Sequence, residues 1–303
     1  MVESLSMRQI IQSHQRGRLA VDPLCWTACH LQLLQCSFTD PVEASPTARR
    51  DFAKRNGLCF ILRTLESRKA AGRRSGINNL ISHAECPLKS RQNLSFHFNS
   101  RIYKLECTAF YDRRQAQSPA IAAYIDREWI SQMRREALYP RDDMNGNNVK
   151  GLEVYRKMLH SITPENPIAE PYVLAMLIGM AQEQQIAGLI SPSQQDEQLS
   201  HNPVFNVRVL VSSKDKEKMH LYCADFTSAF LRKLDDLDLP AEPSVVSIRI
   251  IAIPYEPHES LRDRLFSILL PSQLEGKRHV TEGGGKSQQI GQGVEGHVPI
   301  SCP

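Results

Sequence analysis

The stretch MHLYCADFTSAFLRKLDDLDLP, Met219 to Pro240, passes from strand-like to helix-like residues at Asp225. A carboxylate at such a junction is a candidate metal ligand, with Glu183 as a second acid and Lys233 as the accompanying cation. Metal-assisted phosphodiester hydrolysis needs that set, because carboxylate oxygens hold Mg²⁺ while a cation meets the developing charge. The Glu-x-Lys pair that would complete it on a strand is missing from MHLYCAD. Glu217 and Lys218 belong instead to the charged hairpin tip KDKEK. Asp225, Thr227 and Ser228 are also cap-forming residue types, and Asp225 is expected to accept the orphan backbone N–H groups of the following helix. That role accounts for the residue without a metal.

Cys25, Cys29, His30 and Cys36 lie within twelve positions and suggest zinc. Structural zinc normally takes two closely spaced ligand pairs, and no second pair follows Cys25 and Cys29. The segment DPLCWTACHLQLLQC reads better as an apolar helix in which cysteine fills the core. His160, His220 and His258 have no neighbours at ligand spacing. No Gly-x-Ser-x-Gly, phosphate loop or dinucleotide fingerprint is present. TEGGGKS, Thr281 to Ser287, contains Gly-Lys-Ser but neither the earlier glycine nor a preceding strand. No catalytic set, no metal site and no cofactor is therefore expected; Glu183, Asp225, Lys233 and the Cys25, Cys29, His30, Cys36 group are kept as candidates only.

The chain of 303 residues is 41% hydrophobic and 23% charged, proportions suited to a globular protein. The apolar run YVLAMLIGMA is half the ~20 residues needed to span a bilayer, so it predicts a buried helix and no membrane insertion. The N-terminus shows no secretory pattern, so the eight cysteines are expected reduced and the protein intracellular, cytoplasmic or nuclear. Residues 1–114 carry 18 Lys+Arg against 9 Asp+Glu, whereas the remainder carries five more acids than bases. Arg49, Arg50, Lys54, Arg55, Arg68, Lys69, Arg73 and Arg74 would then meet an acidic partner or nucleic acid, or form a solvated basic face.

Residues 1–125 parse poorly, although SMRQIIQSHQRGRL and parts of Ala48–Gly76 are helix-compatible. Leu94, Phe96 and Phe98 alternate before an Asn99-Ser100 turn, which predicts a hairpin. A core domain is expected over 126–274. Asp126 caps a helix ended by Pro140; LEVYRKMLHSI forms a second; Pro171 opens a third that is apolar on nearly every face. VFNVRVLVSS and MHLYCAD predict a hairpin, SAFLRKLDDL a helix, VVSIRIIAI a strand and PHESLRDRLFSILLP a closing helix. Met219 to Ile253 would be a βαβ unit with parallel strands. The fold class expected is α+β, a small mixed three-stranded sheet packed against several helices. Residues 275–303, rich in glycine and polar residues, are expected to be a disordered tail.

At RREALYP, PYVLAMLIGMAQ, VRVLVSSKDKEKMHLYCADFTSAFLRKLDD and IIAIPYEP the chain resembles a family of uncharacterised, hypothetical proteins of filamentous fungi. The likeness covers about residues 126–271 and implies a fungal origin and a shared fold, but no activity. The element order from residue 171 to 253 also resembles part of the restriction-endonuclease-like nuclease core, with one strand missing. The expected function is that of a non-enzymatic protein acting through interaction surfaces, namely the basic N-terminal third and the polar loop 188–203. The alternatives are a divergent metal-dependent nuclease-like protein and a nucleic-acid-binding module using the basic third.

Overall fold

Short runs of β-branched and aromatic residues with period two set the frame. A computed structural model describes residues 6, 8–9, 21–44, 64–140, 149–190, 203–213, 217–239 and 245–270. Residues 1–269 belong to one unit; the second, Leu270–Pro303, lies outside the described residues except for Leu270, and so does the tail 275–303. Arg49, Arg50, Lys54, Arg55 and most of loop 188–203 also lie outside them.

The strands are β1 (Cys36–Phe38), β2 (Val42–Glu43), β3 (Leu88–Phe98), β4 (Arg101–Asp112), β5 (Ala122–Asp126), β6 (Val204–Ser212), β7 (Lys218–Thr227) and β8 (Val246–Pro254). They form one sheet in the order β1-β8-β7-β6-β5-β4-β3, with β2 continuing the β1 edge along β8. The α+β class holds, but the expected three-stranded sheet must be corrected to eight strands. β5 pairs with β6, so hydrogen bonding runs straight across position 126.

A second correction concerns the βαβ unit: β7 and β8 are antiparallel, with Cys223 opposite Arg249. The intervening helix has 8 residues and rises only ~12 Å. A parallel crossover must return along β7, whose 10 residues extend ~33 Å. The parallel pairs lie elsewhere, at β5/β6 and where β1 and β2 meet β8. Both expected hairpins are present, β3/β4 and β6/β7. Asn99 and Ser100 have φ of 52° and 57°, the two positive values that a tight two-residue hairpin loop needs.

Seven α-helices are described: α1 (Ala28–Leu33), α2 (Ala70–Ser82), α3 (Arg127–Leu138), α4 (Val149–Ile162), α5 (Pro171–Ile190), α6 (Ser228–Asp235) and α7 (Leu261–Leu269). α5 lies across β3 and β6, and its residues Tyr172–Ala181 are buried. α1 and α6 flank it, and together they cover the face formed by Leu94, Phe96, Leu105, Val207, Val209, Tyr222 and Ile250. Gly179 permits the close approach: a Cβ there would stand 2.9 Å from the Ser95 carbonyl oxygen of β3. α2, with α7 beside it, packs on the opposite face at β3, β4 and β5. Among the described residues no helix is long and apolar enough to cross a membrane.

Candidate functional site

β5 and β6 end side by side, with Asp126 in register with Ser212. The Asp126 carboxylate is 1% exposed and has four donors. Arg73 Nε and Ser212 Oγ donate to Oδ2 at 2.7 and 2.6 Å; Arg73 Nη2 and the Glu128 backbone N–H donate to Oδ1 at 2.8 and 2.9 Å. A carboxylate offers about four lone-pair sites, and all are used. Ser212 spends its proton on Asp126, so the Tyr124 hydroxyl, 2.6 Å from Ser212 Oγ, must be the donor of that pair. Arg73 Nη2 also donates to Glu128 at 2.6 Å and Nη1 to the Ser67 carbonyl at 2.9 Å. The Asp126 hydrogen bonds hold the Arg73 guanidinium above its ordinary pKa, and burial pushes the Tyr124 phenol up. With no open acceptor, this network braces α2 against the start of α3 rather than moving protons.

Beyond the ends of β5 and β6 lies a cleft of about 390 Å³. Arg127, Glu128, Ser131, Arg134 and Arg135 reach it from α3, Thr163, Pro164, Pro167 and Glu170 from the α4–α5 connection, and Ser213 from the end of β6. Arg134 and Glu170 form a buried two-bond ion pair of 2.9 and 2.6 Å, and Arg134 Nε donates to the Leu24 carbonyl at 2.9 Å. Glu170 Oε1 also accepts from the Tyr172 backbone N–H at 3.0 Å, which satisfies an orphan donor at the start of α5. Tyr222 of β7 donates to the Ile168 carbonyl at 2.9 Å, and burial pushes its phenol up to about 12.

Two guanidinium groups in this lining remain uncommitted. Among the described residues Arg127 and Arg135 have no carboxylate partner. Arg127 Nη2 makes only a 3.4 Å contact to the Tyr222 hydroxyl, and its Nε is buried without a hydrogen-bond acceptor. Buried donors are normally paired, so this Nε marks a place where an acceptor belongs. Carboxylate and phosphate oxygens suit the planar donor fork of arginine. No family model matches the chain, and no curated protein matches it.

The residues singled out by sequence lie apart. Glu183 sits on α5, where it accepts from Arg91 at 2.9 Å and from the Tyr111 hydroxyl at 3.2 Å. Lys233 is buried on α6. Asp225 is within β7 and alternates with Tyr222, Ala224 and Phe226, which face α5. Its carboxylate therefore points from the opposite face, where it accepts from Asn206 at 2.6 Å and lies 3.8 Å from Arg249. The capping expectation is thus corrected. Thr227 is the N-cap of α6, its hydroxyl accepting from the Phe230 N–H at 3.2 Å, because β7 runs two residues past Asp225.

Cys25, Cys29, His30 and Cys36 fall on a 3₁₀ turn, α1 and β1. His30 Nδ1 accepts from the Thr27 N–H at 3.0 Å and its ring stacks on Trp26; Cys36 Sγ donates to the Leu34 carbonyl. Burial pushes the Cys36 thiol up to about 12. Among the described residues no group of three or more His, Cys, Asp or Glu is arranged to hold a metal ion. Arg73, expected on a basic surface, is buried against Asp126 and is corrected to a core residue. Sequence reading passed over Arg127, Arg134, Arg135 and Glu170. A faint signal existed at Glu170, an acid directly before the helix-opening Pro171, and in the arginines recurring along the α3 segment REWISQMRREAL.

Proposed function

We propose that the protein is a non-enzymatic binding protein whose cleft beside β5 and β6 takes a small ligand bearing a carboxylate or phosphate. The observation that carries this is the pair of uncommitted guanidinium groups, Arg127 and Arg135, with the buried Arg127 Nε lacking an acceptor. The Arg134–Glu170 pair, also in the lining, ties α3 to the start of α5. Ligands of α/β sheets commonly bind beyond the carboxyl ends of parallel strands, which is where this cleft lies. Its volume of about 390 Å³ suits a ligand of metabolite size. The acids of the cleft are engaged by arginines, which disfavours a general base and supports binding rather than turnover.

Calorimetric titration with inorganic phosphate and with succinate, at matched ionic strength, tests this and separates the two anion sources. Charge-assisted hydrogen bonds are worth about 1.5–3 kcal/mol each, so Arg127→Gln should weaken binding roughly tenfold or more. Arg127→Gln with Arg135→Gln should abolish it. If neither anion binds, or if the double variant binds as the wild type does, the proposal fails.

A further inference from the structure

A second cleft, of about 310 Å³, opens on the α2 face of the sheet. Its size is at the lower end for ligand sites, about 300–1,000 Å³. α2 presents Ala71, Arg74, Ser75 and Asn78 to it, the three- and four-residue spacing of one helix face. Trp129 of α3 forms an aromatic wall, and Gln92 and Thr108 reach it from β3 and β4. Gln92 stands directly opposite Thr108, beside a bulge at which Asn93 takes a φ of 70°. The bulge breaks the ladder register between Gln92 and Leu94.

Thr108 is 0% exposed, and its Oγ1 has no hydrogen-bond partner. A buried hydroxyl left unpaired is uncommon and calls for an acceptor or donor from outside the chain. The other polar groups around it are carboxamides and a cation. Asn78 Oδ1 accepts from Ser82 at 3.0 Å, so its amide NH₂ remains to donate. No side-chain hydrogen bond of Gln92 is present among the described residues. The Arg74 guanidinium lies over the Trp129 ring, 5.5 Å from its centroid, with no carboxylate partner among the described residues.

We propose that this cleft binds a nucleobase-type planar heterocycle, in the form of a purine nucleoside. The Asn78 NH₂ suits the N7 acceptor that every purine carries, and the donor and acceptor that Gln92 holds side by side match the N6/N7 edge of adenine. Indole and guanidinium planes stack on any base. The Thr108 hydroxyl, both donor and acceptor, completes the edge recognition at the buried end. Arg127 and Arg135 line the other cleft, so this site is separate from the anion site.

The probes are adenosine, guanosine and free ribose, titrated into the full chain while tryptophan fluorescence is followed. Trp26 is 1% exposed in the core, so a ligand-dependent signal reports Trp129. The expected result is saturable quenching by adenosine or guanosine and none by ribose. Thr108→Val should fold with an unchanged or higher melting temperature, since an unpaired hydroxyl holds nothing together, yet bind at least fivefold more weakly. Gln92→Ala should weaken binding similarly, while the Arg127→Gln, Arg135→Gln variant should bind as the wild type does. Absence of saturable quenching by both nucleosides overturns the proposal, as does saturation by ribose with the same dependence on Thr108. Wild-type affinity in Thr108→Val also overturns it, because that hydroxyl would then take no part in recognition.

Discussion

Arg73 and Asp126, 53 residues apart in sequence, meet as a buried two-bond pair at 2.7 and 2.8 Å. The same carboxylate caps α3 and accepts from Ser212 of the neighbouring strand. α2, β5, β6 and α3 are therefore joined at one side chain.

Arg73→Met should be strongly destabilising, because it leaves the Asp126 charge buried with too few donors. Breaking one partner of a buried pair costs about 3–5 kcal/mol. Adding Asp126→Asn removes the stranded charge and keeps a residue able to cap α3, so the double variant should recover part of the loss. Urea denaturation of the two variants and the wild type measures both steps.

Thr227→Ala should cost about 0.5–2 kcal/mol, the usual effect of deleting a helix N-cap. Asp225→Ala, at an exposed strand position, should stay within about 0.5 kcal/mol of the wild type. Thermal melting of the two variants separates the positions. A larger loss at Asp225 than at Thr227 would contradict the cap seen in the structure.

Met176→Asp or Leu177→Asp should prevent cooperative folding, since both side chains are fully buried within the hydrophobic cluster. Met176→Leu, which conserves volume, should cost less than about 1.5 kcal/mol. Gly179→Ala should destabilise although alanine favours helices, because its Cβ would press on the Ser95 carbonyl oxygen at 2.9 Å. Circular dichroism melts rank the four variants.

Stability should fall as pH rises above about 10. Burial raises the Tyr222 phenol to about 12 and pushes Tyr124, Tyr172 and Tyr111 up as well. An unfolded tyrosine ionises near pH ~10, so above that value the unfolded chain gives up protons that the folded chain retains. These groups therefore carry no penalty below pH ~10 and favour unfolding between ~10 and ~12. Tyr222→Phe should be less stable at pH 8, through loss of the bond to the Ile168 carbonyl, but should lose less between pH 8 and pH 11. Urea midpoints at the two pH values give the comparison.

Local features of this chain were legible from residue types alone. Asn99-Ser100 marks a hairpin because few residues other than glycine accept two positive φ angles in succession, and asparagine is the foremost of them. Asp126 and Pro171 mark helix starts because each suits the unsatisfied N–H groups there. The apolar run after Pro171 had to be buried on every face. Beyond the two hairpins, tertiary structure alone decided which strands pair and in which direction. Period-two patterning orients side chains relative to a sheet but carries no information about the neighbouring strand, so β7 and β8 read as parallel while they are antiparallel. Both clefts follow the same rule. Arg127 Nε and Thr108 Oγ1 are left without protein partners by the packing of elements distant in sequence, which no local pattern reports. The charge of Arg73 likewise suggested a surface cation until a strand distant in sequence brought Asp126 to it, since an ion pair forms by proximity in space and not along the chain.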